Sequence, residues 1–169
     1  AGMYQGLNFF EEYDPKRAAA FRDYYHYIRD NDLFLAYAIL PPQGARKPDL
    51  YQSADKSPPT LRVTAEDDAG VVLNGMKMLA TGGVYADEVW IGNLTPIDEK
   101  FKAESITAAL PLNAQGVSLW ARQPYGGEGY HEADYPLSYR YDETDCVLVC
   151  ENVRIPWSRV FLHNDGAMS

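Results

Sequence analysis

The sequence has little that would fix its chemistry from residue types alone. It holds two cysteines and three histidines in 169 residues. His131, His163, Cys146 and Cys150 show no metal-ligand spacing, so no metal is expected. It has no phosphate-cradling Walker loop, no GxGxxG and no GxSxG elbow. No run approaches 18 apolar residues, and no signal-peptide pattern opens the chain, so neither a membrane helix nor secretion is expected. Basic residues are scarce. Fifteen Lys and Arg stand against 24 Asp and Glu, and 15 − 24 gives a formal charge of −9. That excludes wholesale binding of a phosphate backbone, which needs clustered cations, though not a local anion site. Within DCVLVC the two cysteines share one face of a strand, about 13 Å apart and beyond disulfide reach. A reducing, cytoplasmic setting is expected.

What the sequence does have is tyrosine, 13 of them against six Phe and three Trp. A phenol combines apolar area with one hydrogen-bonding tip, which suits half-wet walls and interfaces. A chain of this length buries on the order of 70% of its unfolded surface, enough for a real core. One segment stands out, DNDLFLAYAILPPQGARKPD from Asp30 to Asp49. Charged residues give way to the apolar run Leu33 to Pro41, with Tyr37 in its middle, and a basic loop follows. Both ends look cut: Met3, Leu7 and Phe10 already follow a helical period, and HNDGAMS carries no capped element. A fragment of a longer protein is expected.

Asp14-Pro15 is a helix start, with Asp as N-cap and Pro in the first turn. Phe21, Tyr24, Tyr25 and Ile28 then repeat at helical spacing to about Asn31. His26 lies off that stripe and reads as a solvated position. After Pro58-Pro59 the pattern becomes short β-rich runs: LRVTA, GVVLNG, MKMLAT, YADEVWIGN, ITAALPL, GVSLWAR and CVLVCENV. Turn residues separate them at Glu66 to Asp68, Asn74-Gly75, Gly82-Gly83 and Asn113 to Gly116. Gly126 to Gly129 reads as a loop, and the acidic run Glu66 to Asp68 as a hairpin tip. The expected fold class is mainly β with an N-terminal helix, the β part an antiparallel barrel or sandwich.

Three stretches go further: FRDYYHYIRDNDLFLAYAILPPQ, LNGMKMLATGGVYADEVWIGN and PLSYRYDETDCVLVCENVRIPWSRVFL. In this order they resemble the 4-hydroxyphenylacetate 3-hydroxylase family, the oxygenase components of two-component aromatic monooxygenases. The resemblance covers essentially the whole chain. It implies an acyl-CoA dehydrogenase-like fold. Residues 1–32 would be the end of an N-terminal helical domain, 33–161 the middle β-barrel domain, and 162–169 the start of a C-terminal helical domain. It implies ortho-hydroxylation of a phenol with O₂, using reduced FAD from a separate reductase, in aromatic catabolism by a cytoplasmic homotetramer. The flavin would carry the hard chemistry, and the protein would supply position and dryness.

The resemblance also assigns residues. Tyr37, Ala38 and Ile39 would line FAD, with Gln43 and Arg46 on the following loop. Arg46 would face the pyrophosphate or ribose. Thr81 would serve the ring edge as donor or acceptor, and Asn93 and Leu94 would hold the substrate's side chain. Tyr37 is also the catalytic candidate and the departure. Family members acting on 4-hydroxyphenylacetate carry a histidine there, which exchanges protons near neutral pH, whereas a phenol mainly donates a hydrogen bond. Another phenol is therefore open as substrate. The family's phenolate-gripping Arg and Tyr fall before residue 1, so this chain by itself is expected to bind FAD poorly and not to turn over. Three alternatives stay open: an iron–sulfur 4-hydroxybutyryl-CoA dehydratase or isomerase, an acyl-CoA dehydrogenase, and a non-catalytic structural domain.

Overall fold

A computed structural model describes residues 2–46, 59–166 and 168. Pro58 and the basic loop beyond Arg46 lie outside the described residues, as does the side chain of Met3. The chain opens with two short helices, α1 (Gly2–Gln5) and α2 (Leu7–Tyr13), separated at Gly6. The main helix α3 spans Pro15–Asp30. The Asp14 carboxylate accepts from the Lys16 and Arg17 amides at 2.9 and 3.3 Å, closing two orphan donors of the first turn. Its apolar stripe buries Ala18, Phe21 and Tyr24.

Two four-stranded sheets follow. The first orders β1 (Leu35–Ala38), β4 (Glu88–Ile91), β5 (Ile106–Pro111) and β8 (Val160–His163). The second orders β2 (Arg62–Asp67), β3 (Gly70–Met78), β7 (Cys146–Pro156) and β6 (Val117–Ala121). The inner faces bury Ala36, Ala38, Val89, Ile91, Leu110, Val71, Leu73 and Leu148 in one core. Period-two alternation sends Trp90 and Phe161 to the outer face of the first sheet. There they stack with centroids 5.0 Å apart, and Phe21 and Tyr24 of α3 pack on them. The result is three layers: helix, sheet, sheet.

Three features differ from the sequence reading. First, β1 pairs parallel with β4, Tyr37 opposite Trp90, rather than antiparallel. The chain between them crosses to the second sheet to form β2 and β3, so it returns in the same direction. Second, Asn74-Gly75 is no turn; β3 runs through it. Asn74 bonds across to Asn152, accepting from its amide at 2.8 Å, and the register slips at this point. Gly75, at φ +110°, lies so close to the Thr60 carbonyl that a Cβ would sit 2.2 Å from it. Third, a short helix, α4 (Pro136–Tyr141), stands where the sequence reading placed no element. At six residues with none buried, it shows no apolar period.

The helix layer is clasped to the sheet by ionic chemistry. Glu88 is buried on β4 and accepts from the Tyr24 phenol at 2.8 Å and from Arg159 at 2.6 Å. Burial and the Glu88 carboxylate raise the Tyr24 phenol above its ordinary range. Arg17 lies over the Trp157 ring at 5.0 Å, and the Trp157 indole donates to the Asp67 carbonyl. Asp67 in turn takes Arg154 in a two-bond fork.

Candidate functional site

Three chain segments converge at the free edge of the first sheet. The end of β1 continues through Ile39 to Pro42. The Met78 amide donates to the Leu40 carbonyl at 2.8 Å, tying that segment to the end of β3. The Gly92 amide donates weakly to the Ala38 carbonyl at 3.4 Å, bringing in the end of β4. The strand β3 ends in a kink at Leu79, whose φ is +61°. Beyond the kink, Gly82 passes beside the Phe34 ring, within 3.6 Å of where its Cβ would be. The contacts 40–78 and 34–82 therefore bracket Tyr37 against the segment Leu79 to Thr81.

This edge is unusually apolar for a surface. Phe34, Tyr37, Leu79, Val84 and Tyr85 are all exposed there, and a cluster of that kind marks a binding face more often than a bare surface. Tyr37 is 52% exposed, on the face of the sheet that also carries Trp90. Ala38 is fully buried and points to the core, so it can offer a ligand only backbone. Ile39 is half-buried beside Gly92. Gln43 and Arg46 sit in a 3-10 turn, Gln43–Arg46, both exposed. The Arg46 Nε donates to the Pro41 carbonyl at 3.0 Å, which folds the turn back on the prolines.

Thr81 is exposed, and its hydroxyl donates to Asp145 at 2.5 Å. With its hydrogen committed, it has only lone pairs left for a ligand. Asn93 is tied into the protein by two hydrogen bonds. Its Oδ1 accepts from Lys77 at 2.6 Å, and its Nδ2 donates to the Glu104 carbonyl at 3.1 Å. The amide is thus directed into the protein, while its neighbour Leu94 is exposed at the tip of the turn.

The residues missed from sequence are Lys77, Glu104 and Glu88, all buried. Lys77 read as an ordinary member of MKMLAT. The signal was there: two-residue alternation from Val71 and Leu73 places it inward. Burial lowers the Lys77 ammonium to about 8, opposed by Glu104. Burial raises the Glu104 carboxyl to about 7, opposed by Arg62 and Lys77. Cys146 and Cys150 face the core of β7 as free thiols. Burial pushes Cys150 up to about 12. Among the described residues no group of three or more His, Cys, Asp or Glu could hold a metal, and no helix is long and apolar enough to cross a membrane.

Residues 1–162 match the family model described as 4-hydroxyphenylacetate 3-hydroxylase N terminal. A 4-hydroxyphenylacetate 3-monooxygenase oxygenase component from Geobacillus sp. (strain PA-9) is 32% identical over 162 residues, 94% of this chain and 32% of that protein. The chain thus spans about a third of the length of the curated relatives it matches. A crystal structure of such an oxygenase component, complexed with FAD and 4-hydroxyphenylacetate, superposes with TM-score 0.75 at 32% identity, over 96% of this chain and 33% of that one. An archaeal 4-hydroxybutyryl-CoA dehydratase from N. maritimus superposes at 0.80 with 20% identity, over 98% of this chain and 34% of that one. A probable acyl-CoA dehydrogenase from Mycobacterium abscessus gives 0.56 at 19%, over 89% and 34%. These last two show the shared fold.

Proposed function

The chain belongs to the 4-hydroxyphenylacetate 3-hydroxylase family, and from that premise we propose that it forms part of the oxygenase component of a reduced-flavin-dependent aromatic monooxygenase. The observation that carries this reading is its likeness, over nearly its whole length, to an oxygenase component complexed with FAD and 4-hydroxyphenylacetate. We take residues 1–32 as the end of a helical domain, 33–161 as the middle β-domain and 162–169 as the start of the next, with β8 straddling that last boundary.

The residues at the sheet edge fit a flavin. A flat heterocycle needs an apolar ledge for its face and hydrogen-bonding groups along its rim. Phe34, Tyr37 and Leu79 give the ledge. β1 is an edge strand, paired on one side with β4, so its other side presents backbone N–H and C=O groups. Tyr37, Ala38 and Ile39 would hold the ring by that backbone, and Gln43 and Arg46 would face its phosphate and ribose side. Thr81, with its hydrogen given to Asp145, would be left to accept from a ring N–H. That preference suits the reduced cofactor, which carries the extra N–H. When bound, the cofactor supplies activation of O₂.

The protein's own work is to bind, orient and keep water out. The apolar wall from Leu33 to Leu40 excludes water from the ring, and Pro41 and Pro42 stiffen its exit without adding donors. Tyr37 acts as a hydrogen-bond donor beside the reacting ring, and Leu94 packs against the phenol's side chain. The substrate is a phenol, 4-hydroxyphenylacetate or a relative of it, oxidised with O₂. The partners are a flavin reductase and three further copies of the parent chain, in the cytoplasm, with no nucleic acid and no membrane. A CoA dehydratase with an iron–sulfur cluster fits less well. Cys146 and Cys150 are buried on one strand among apolar neighbours, which suits core thiols better than ligands. The test gives the full-length parent FAD, NADH, any competent flavin reductase and a panel of phenols. A catechol above the reductase-only control is expected. No product from any phenol, with weak binding of reduced FAD, would overturn the reading.

A further inference from the structure

Lysine is almost never fully buried unless something pairs it, and Lys77 is 1% exposed, among the largest fully buried side chains of the described residues. Its strand lies in the second sheet, yet its partners lie on the first. Its Nζ donates to Asn93 Oδ1 at 2.6 Å, just past the end of β4. The Asn93 amide then donates to the Glu104 carbonyl, just before β5. Glu104 is itself 5% exposed, and its carboxylate attracts Lys77. One ammonium therefore crosses the core and ties together both ends of the connection 92–105. The connection needs tying. Pro96, Ile97, Asp98, Phe101 and Glu104 of the connection line an open surface depression of about 180 Å³ rather than a packed interior. Gly92 lies against Ile39 and Trp90, and Leu94 projects into solvent.

We propose that Lys77 is a positioning residue that acts through Asn93 to hold the Gly92–Pro96 turn, so that Leu94 forms a fixed wall of the phenol site beside Ile39. The clamp is read from this chain's geometry; its consequence for the phenol rests on the proposed function. The Asn93 amide gives one lone pair to Lys77 and one N–H to the Glu104 carbonyl, which fixes its orientation. Asn93 thus sets the place of Leu94. A burial this unfavourable persists where the surroundings over-determine it, and such places concentrate at binding sites.

The test uses the full-length protein with Lys77→Met, Asn93→Ala and the double variant. Hydrogen exchange is read on amides 92–98, and KM and kcat on the phenol. Lys77→Met is expected to speed exchange in 92–98 by about tenfold while the β3 and β7 core amides stay protected. KM for the phenol rises about tenfold with kcat changed less, the mark of lost ground-state positioning. The double variant is no worse than the worse single one, because both cut one chain of contacts. Reduced-FAD affinity stays within about twofold, since Tyr37 and Thr81 are untouched. Unchanged exchange in 92–98 overturns the proposal. So does a fall in kcat and melting temperature with KM unchanged, which would make Lys77 a core strut only. If Lys77→Met does not fold, Asn93→Ala, which leaves the lysine in place, must loosen 92–98 by itself. If even the natural protein hydroxylates no phenol, the functional reading fails, and the exchange result still decides the clamp.

Discussion

Tyr37 carries the functional reading at the level of single residues. It is exposed on an edge strand and, among the described residues, belongs to neither core cluster. Tyr37→Phe is therefore expected to change stability by less than about 0.5 kcal/mol, while hydroxylation falls about tenfold or more for loss of a donor beside the reacting ring. Tyr37→His shifts the ranking of phenols toward 4-hydroxyphenylacetate; comparison of kcat/KM across the panel checks both. Cys146 and Cys150 belong to the opposite category. Burial raises both thiols, so neither reacts with a thiol reagent at pH 8 in the native protein, and both react once urea unfolds it. Glu104 gives a pH signature. Its folded-state value of about 7 lies above the ordinary 4.5, so the native state holds that proton more tightly than the unfolded chain. Its contribution is fully present below pH 4.5 and is lost as pH rises through 7, by an amount on the order of 2 kcal/mol. Melts from pH 5 to 7 should show this decline in the natural protein and a flatter curve in Glu104→Gln.

Among elements, the joint between α3 and the first sheet rests on Glu88, Tyr24 and Arg159. Arg159→Met leaves a buried carboxylate with only a phenol to pair it, at a cost of about 3 kcal/mol measured by urea unfolding. Arg159 and Trp157 belong to one of the three stretches that resemble the family. Their contacts here clasp the fold. The helix α3 announced itself through Asp14, Pro15 and the stripe to Ile28, because capping and periodicity are local. Asn74-Gly75, opposite the register slip at Glu151 and Asn152, imitates a hairpin turn in sequence. Only its pairing with Asn152, 78 residues away, shows that the strand continues. Lys77 was hidden by tertiary pairing too: alternation placed it inward, but its partner Asn93, 16 residues on, lies just past the end of β4 of the other sheet.

As a whole molecule, three packed layers bring the ends of β1, β3 and β4 to one apolar edge. Proximity of that kind cannot be read from segments taken one by one. Family resemblance supplied the roles proposed for Tyr37, Thr81 and Leu94, since no motif in the chain spells flavin by itself. What the geometry adds is that Thr81 can only accept and that Asn93 turns inward. The central claim is that a phenol gains an oxygen atom from O₂ on the full-length protein. The most direct measurement supplies ¹⁸O₂ with reduced FAD and a phenol that the protein turns over, and weighs the product by mass spectrometry. One ¹⁸O atom beside the original hydroxyl is the predicted result. Unlabelled product, or no hydroxylated product with any phenol while reduced FAD is consumed as in the reductase-only control, would contradict the account.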